Sequence, residues 1–171
     1  MNETKRNTIE GWIDKAADQL SAAREHAKSV GQYPEAIQAA QQCVELSVKS
    51  ILSLLDVRYS KSHEWAPDKK EFSVIAQQIQ QHGLLAGLAD QHLDYTVRLP
   101  RLLFLLNFWA QFCITAKCGF EAEHLGSAKD LFEKDEAELA IRHAQECLRA
   151  ATNLRFLDGE KLAALASKRP A

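Results

Sequence analysis

Apolar side chains recur at intervals of three and four residues along most of this chain, which is the spacing of amphipathic helices. The first such stripe lies within residues 9–27, and it is followed by Gly31, a residue suited to the left-handed stop after a helix. Asn7 and Glu10 have the spacing of a capping box. The pattern therefore predicts a first helix that begins near Thr8.

The strongest amphipathic pattern begins at Pro34, which suits the first turn of a helix because its missing N–H would have no partner there. Apolar residues from Ile37 to Leu55 fall on one stripe. We expect the opposite, solvated side to carry Gln38, Gln42, Glu45, Lys49 and Asp56. The short connection to the first helix predicts an antiparallel hairpin.

Three further helices are predicted downstream. One covers about residues 71–81, a second is opened by Pro100 and ends near Cys118, and a last long helix covers about residues 134–156. Glycine and proline are scarce, at 7 and 4 residues, so helix is favoured over strand almost everywhere. We expect an all-α, antiparallel helical bundle of four to five main helices.

Length and charge bound the class of protein. A chain of 171 residues fits one domain over residues 1–171, with a core at about 8–157 and a short helical or frayed tail over 158–171. The 21 lysines and arginines and 23 acidic residues give a formal charge of −2. This charge excludes a positive potential over the whole protein surface, but it does not exclude a local basic patch.

The cysteines and the first residues of the chain indicate its compartment. Four cysteines form no CxxC pair and no zinc-finger spacing, and the first residues have no apolar run behind their charges. We expect reduced thiols, a cytoplasmic protein and no secretion signal. Histidine, cysteine and carboxylate residues also lack the spacing of a ligand set, so neither a metal site nor a cofactor is predicted.

The segment from Leu102 to Ala116 is apolar on almost every side. It is shorter than the roughly 20 residues that a membrane span needs, so we expect a buried helix of a soluble protein without membrane contact. Such a helix is covered either at the centre of a monomer or by a second copy, and we expect a homodimer through it. Asn107, Gln111 and Thr115 form a polar line that either bonds to its neighbours or borders a cleft.

Two segments carry a resemblance to the HEPN domain family. Residues 36–65, AIQAAQQCVELSVKSILSLLDVRYSKSHEW, resemble its helical hairpin, and residues 116–151, AKCGFEAEHLGSAKDLFEKDEAELAIRHAQECLRAA, are similar to its final loop and helix. The resemblance implies an all-α bundle, usually a dimer. The family includes metal-independent endoribonucleases, many of them toxins paired with a nucleotidyltransferase antitoxin, and inactive members that bind nucleotides, RNA or proteins.

The catalytic members of that family carry an arginine and a histidine separated by four to six residues. In this chain the matching positions hold Lys117 and His124. A histidine can move the proton of a ribose 2′-hydroxyl, and a cation can hold the phosphate as charge develops. Lysine lacks the planar fork of arginine, so the motif is degenerate. The alternative is a cation at a helix end followed by an ordinary loop histidine.

Arg58 and His63 offer a second match, with a true arginine and four intervening residues. Six histidines and nine arginines produce about one such spacing by chance, so the spacing alone has no weight. Trp65, beside this pair, either stacks on a bound base or packs under the loop. Arg58, His63 and Trp65 are therefore candidate ligand-binding residues, and the alternative is a loop that closes the end of the second helix.

The resemblance leaves two functions open. The first is a protein that binds RNA, a nucleotide or a partner protein through a cleft near Lys117 and His124, with Arg58 and His63 close by. The second is a metal-independent endoribonuclease, with His124 as general acid or base and either Lys117 or Arg58 at the phosphate, whose partner is a nucleotidyltransferase antitoxin. A purely structural assembly partner is a third alternative.

Overall fold

The computed structural model describes residues 3–61, 65–120 and 126–165, and within these ranges the chain is helical without a β-strand. The predicted all-α class is therefore confirmed. The helices are α1 (Glu3–His26), α2 (Tyr33–Leu54), α3 (Lys69–Gln81), α4 (Leu84–Asp90), α5 (Leu99–Ala110), α6 (Cys113–Cys118), α7 (Ala128–Leu131), α8 (Lys134–Arg155) and α9 (Gly159–Leu165).

The long helices α1, α2 and α8 form the centre of the bundle. Lys5 Nζ lies 2.9 Å from Asp56 Oδ1, so the start of α1 meets the end of α2. Arg155 Nη1 lies 2.6 Å from Asp14 Oδ1, so the end of α8 also meets the first half of α1. Helix α1 therefore runs antiparallel to both partners, which agrees with the predicted hairpin.

Small side chains line the interfaces among these three helices. Short side chains let helix axes approach to about 8 Å, the close end of the usual range. The alanines without solvent exposure are Ala16, Ala23, Ala36, Ala40, Ala137, Ala140, Ala144, Ala150 and Ala151. Larger apolar residues such as Ile13, Ile37 and Leu52 fill the space beside this alanine seam.

Helix α2 is the central helix of the fold, because α5 and α6 cover the side that α1 and α8 leave open. Gln38 Nε2 donates a hydrogen bond to the Ala116 carbonyl at 2.9 Å. Glu45 and Lys49, predicted to be solvated, are only 7% and 8% exposed. That expectation is wrong because the polar side of an amphipathic pattern does not show whether a second layer covers it.

The apolar segment is only partly covered within one chain. A turn at residues 111–112 divides it into α5 and α6, and Phe104 and Ile114 are 57% and 70% exposed. Within one chain α2 holds the central position, so cover of this segment by a second copy stays a prediction. By length and composition alone, Leu99–Cys118 is apolar enough to cross a membrane, and 44% of its most apolar 18-residue window is buried.

The first helix begins earlier than predicted, at Glu3 rather than near Thr8. Asn7 therefore lies inside the helix and caps nothing. Glu10 Oε1 accepts a hydrogen bond from Arg6 Nε at 3.2 Å, one turn earlier, so the expected capping box is wrong. Polar pairs at this spacing also occur inside helices, where they bond across one turn.

The bounds of α2, α3 and α8 agree with the pattern to within two residues, whereas α4 and α7 were not predicted. Asp68 caps α3 by accepting a hydrogen bond from the Glu71 backbone N–H at 2.7 Å. Helix α8 begins with a capping box between Glu133 and Glu136. Gly31 has a φ of +85°, the left-handed conformation expected after the first helix. The extent of a single domain over residues 1–171 stays a prediction.

Candidate functional site

A cleft of about 430 Å³ lies where the start of α1 meets the loop after α2. We call it the Arg58 cleft. Its walls combine basic side chains, two aromatic rings and small polar groups. The lining residues are Lys5, Thr8, Ile9, Trp12, Ser53, Asp56, Val57, Arg58, Tyr59 and Lys61.

The backbone of Arg58 is fixed by a side chain of α3. Its N–H donates a hydrogen bond to Gln78 Oε1 at 2.7 Å, and its carbonyl accepts one from Gln78 Nε2 at 3.1 Å. Asp56 turns the chain into this position with a φ of +55°. The guanidinium of Arg58 is exposed, so a rigid backbone presents a solvated cation.

Tyr59 forms part of the wall beside Arg58. Its hydroxyl lies 2.7 Å from Ser53 Oγ, and its ring centroid lies 5.2 Å from that of Trp65. Burial raises the pKa of the Tyr59 phenol, so this group stays neutral near physiological pH. Tyr59 therefore offers a neutral aromatic surface and one hydroxyl.

Trp65 packs under the loop rather than lining the cleft. It is 1% exposed, and its Nε1–H donates to the Glu71 carboxylate at 3.1 and 3.2 Å. The Lys49 ammonium lies 5.9 Å from the centroid of its ring. A base cannot reach this ring in the folded structure, so Trp65 supports Tyr59 from below, and stacking of a ligand on Trp65 is excluded by this packing.

The charges of the Arg58 cleft are divided between a closed pair and exposed cations. Lys5 pairs with Asp56 at 2.9 Å, and this hydrogen bond lowers the pKa of the Asp56 carboxyl. Arg58 and Lys61 are exposed beyond this pair. His63, the predicted partner of Arg58, lies outside the described residues. The described part of the cleft therefore combines cations with aromatic walls, which suits a phosphate attached to a planar group.

Lys117 occupies the last turn of α6 and is exposed. The helix ends at Gly119, whose φ is +61°, and a Cβ at this position would lie 2.5 Å from the Ala128 backbone nitrogen. Glycine is thus required where the chain turns against the start of α7. His124, the predicted catalytic partner of Lys117, lies outside the described residues.

Lys117 and Arg58, the described members of the two predicted pairs, lie near opposite ends of α2. The hydrogen bond from Gln38 to the Ala116 carbonyl places Lys117 beside the first turns of α2, whereas Arg58 follows its last turn. Gln38 and Leu54 are sixteen positions apart, which corresponds to about 24 Å at 1.5 Å per residue. One chain therefore does not bring Lys117 and Arg58 into a common cleft.

Sequence reasoning missed a polar contact between α5 and α8. Trp109 Nε1–H donates to His143 Nδ1 at 3.1 Å. Burial first, and then the nearby Arg101 charge, lower the pKa of His143. Trp109 lies in an apolar run, and His143 follows Arg142. Neither context predicts this hydrogen bond, because it joins residues 34 positions apart in the sequence.

The buried cysteines are poor nucleophiles. Burial raises the pKa of Cys43 to about 12 and also raises the pKa of Cys113 and Cys147, so these thiols stay protonated. Cys118 is exposed. Among the residues that the structure describes, no three histidine, cysteine or acidic side chains cluster to hold a metal ion.

The fold and the Arg58 cleft define an all-α helical bundle with a cation-bearing cleft at one end. Residues 9–72 match the family model described as HEPN domain, which confirms the resemblance predicted from the sequence. The matched range contains α1 from Ile9 onward, all of α2 and the position of Arg58, whereas residues 116–151 lie outside it. Neither a curated protein nor a solved structure matches the chain significantly.

Proposed function

We propose that this HEPN-type protein binds a nucleotide or RNA through the Arg58 cleft, in the cytoplasm. The observation that carries the proposal is the lining of the cleft, where exposed Arg58 and Lys61 stand beside the rings of Trp12 and Tyr59. A guanidinium matches a phosphate in two hydrogen bonds, and an aromatic wall accepts a planar base. A volume of about 430 Å³ is in the range of small-ligand clefts.

A metal-independent endoribonuclease is the alternative function. In this case His124 is the general acid or base, Lys117 holds the phosphate, and the partner is a nucleotidyltransferase antitoxin. Two observations favour it: Lys117 is exposed, and the Phe120 N–H donates to the Gly126 carbonyl at 2.9 Å. This bond joins the two residues that flank the segment containing His124.

A homodimer is part of the proposal. Helices α5 and α6 expose Phe104 and Ile114, and the half-buried Phe108 stacks on Phe104 with ring centroids 5.9 Å apart. Exposed large apolar side chains lose unfavourable contact with water when a second copy covers them. The dimer is also the arrangement in which Lys117 of one copy can approach Arg58 of the other.

Ligand binding tests the proposed function. Titration of the protein with a fluorescent adenine nucleotide and with a labelled oligoribonucleotide should show saturable binding, and Trp12 should report on it by quenching. Arg58→Ala should weaken binding about tenfold to a hundredfold, because a hydrogen bond to a charged group is worth about 1.5–3 kcal/mol. Lys28→Ala is the matched control, since Lys28 is an exposed cation paired with Glu25. Unchanged affinity in Arg58→Ala would overturn the proposal.

RNA cleavage in the presence of a chelator separates the two functions. A binding protein leaves the RNA intact, whereas a metal-independent endoribonuclease cleaves it and loses this activity in His124→Ala. Cleavage that survives in His124→Ala excludes the catalytic role assigned to His124. Both measurements use the same RNA, so binding without turnover is distinguished from catalysis.

A further inference from the structure

A second basic cleft lies on the side of α8 that faces the chain entering α5. Its volume is about 330 Å³, and its walls include Tyr95, Arg98, Arg142, Glu146 and Arg149. We call it the arginine cleft. None of these residues lines the Arg58 cleft, and no prediction from the sequence placed them together.

Among the described lining residues, the one carboxylate, that of Glu146, is already paired. Arg101 donates two hydrogen bonds to Glu146, from Nε to Oε1 at 2.7 Å and from Nη2 to Oε2 at 2.9 Å. Arg98 Nη1 lies 3.9 Å from the same carboxylate. Within the described ranges, Arg142 and Arg149 have no acidic partner and are exposed. The cleft therefore holds more positive than negative charge, although the chain as a whole is slightly acidic.

The arginines are spread along the cleft rather than gathered at one point. Arg142 and Arg149 are seven residues apart on one face of α8, which is about 10 Å along the helix axis. Arg98 approaches Glu146, which lies between them in the sequence. Three guanidinium groups over this length can contact more than one phosphate, whereas a single phosphate would engage only part of the set.

An aromatic ring completes the arrangement. Tyr95 is 80% exposed, so its ring is not used by the core. An exposed aromatic side chain beside basic residues provides a stacking surface for an unpaired base. The wall also contains Thr96 and Gln145, whose side chains can donate hydrogen bonds to phosphate oxygens.

The two clefts lie at different levels of the bundle. Helix α8 meets the start of α1 at Arg155, whose carbonyl accepts a hydrogen bond from Arg6 Nη2 at 2.9 Å. Arg6 follows Lys5, a lining residue of the Arg58 cleft. Arg142 and Arg155 are thirteen positions apart on α8, which corresponds to about 20 Å.

We infer that the arginine cleft is a separate binding site for a single-stranded nucleic acid, with Arg98, Arg142 and Arg149 on successive phosphates and Tyr95 under a base. This site is independent of the Arg58 cleft, so an experiment can disprove either site without affecting the other.

Salt-dependent binding of a labelled single-stranded oligonucleotide of about 12 nucleotides tests the inference. Arg142→Ala combined with Arg149→Ala should weaken binding at least tenfold and reduce the slope of log affinity against log salt by about 1 to 1.5, because each phosphate contact on a single strand contributes about 0.7. The control is Lys15→Ala combined with Lys28→Ala, which removes the same charge from exposed positions of α1 and its following turn. Equal loss in both double variants would mean diffuse attraction and would overturn the inference.

The tyrosine gives an independent test that leaves the charge unchanged. Tyr95→Ala should weaken binding about fivefold or more, and Tyr95→Phe should retain it, because stacking needs the ring and not the hydroxyl. A free nucleoside triphosphate is the second arm. If the arginine variants weaken triphosphate binding but not oligonucleotide binding, the strand assignment is wrong. Loss of oligonucleotide binding in Arg58→Ala, with the arginine double variant unaffected, would overturn this site while supporting the Arg58 cleft.

Discussion

Lys49 Nζ lies 2.6 Å from Glu45 Oε1, one turn away on α2, and each side chain is only 10% exposed. Gln41 Nε2 donates a further hydrogen bond to Glu45 Oε2 at 3.2 Å. The pair therefore forms a polar cluster on the helix that every other long helix contacts. Burying such an ion pair costs free energy, because both charges lose their hydration. If one partner is removed, the other charge stays buried without compensation.

Lys49→Met should destabilise the protein by about 3–5 kcal/mol, the usual cost of breaking a buried pair. Urea denaturation measures this free energy of unfolding. Lys28→Met is the control, because Lys28 forms an exposed pair with Glu25 and should change stability by less than about 1 kcal/mol. Glu45→Leu combined with Lys49→Met should recover most of the loss. Equal effects of Lys28→Met and Lys49→Met would contradict the buried pair.

The free energy of unfolding should fall as the pH drops below 6.5, because His143 becomes protonated. Its folded pKa is lowered from 6.5, mainly by burial, so the unfolded chain binds a proton more readily than the folded one. The stability from His143 is therefore present above pH 6.5 and is lost as the pH falls through the folded pKa. Protonation would also remove the Nδ1 acceptor that Trp109 uses.

Denaturation between pH 7.5 and 5 measures this effect, and His143→Gln should lose the slope in that window. Asp56→Asn is the control, since the pKa of Asp56 is lowered from 3.8 and its contribution is lost only at lower pH. A wild-type curve that is flat from pH 7.5 to 5 would show that His143 is not linked to folding.

One of the four cysteines should react with a thiol reagent in the native protein. Cys118 is exposed, whereas Cys43, Cys113 and Cys147 are buried and have raised pKa values. The thiolate is the reactive form, so these three should react only after unfolding in urea. Cys118→Ser should abolish the fast reaction. A fast reaction that persists in Cys118→Ser would show that the protein core opens near α2, α6 or α8.

Two helical glycines should respond oppositely to alanine. A Cβ at Gly11, in α1, would meet no atom within 4 Å, whereas one at Gly87, in α4, would collide with the Leu165 carbonyl of α9. Gly11→Ala should stabilise by up to about 1 kcal/mol through helix propensity. Gly87→Ala should destabilise by about 1–3 kcal/mol and speed proteolytic removal of α9. Similar shifts in melting temperature for both variants would contradict this docking.

The proposed dimer should depend on the face formed by α5 and α6. Ile114→Glu should convert a dimer to a monomer in light scattering, because it places a charge among apolar side chains that a second copy covers. Val30→Glu is the control, since Val30 is 89% exposed in the turn after α1 and lies outside that face. A wild-type monomer at high concentration would exclude the proposed dimer.

The helices were predictable from the sequence because local spacing determines them, and α3 and α8 agree to within two residues. The pattern could not show which polar side is covered, so Glu45 and Lys49 were assigned to solvent. Helix α1 was predicted to start late because Asn7 and Glu10 have the spacing of a cap and also of an ordinary pair across one turn.

The candidate site was predictable only in part. Arg58 was singled out by the family spacing, but Lys5 and Trp12 line its cleft from a helix more than forty residues earlier. The arginine cleft likewise joins Arg98 to Arg142 and Arg149, which a linear pattern does not relate. Such contacts depend on the packing of helices that are distant in sequence, which local periodicity does not specify.

The alanine seam between α1, α2 and α8 has a consequence for how this sequence can change over time. A protein core of larger side chains loses stability when substitutions shorten those side chains. Alanines such as Ala40 and Ala144 have only a methyl group that a substitution can remove. Substitution of these alanines by larger residues is also unfavourable, because added methylene groups would push the helices apart. Variation at these positions should therefore be narrow and confined to glycine, serine and cysteine, while the larger residues beside the seam exchange freely with one another.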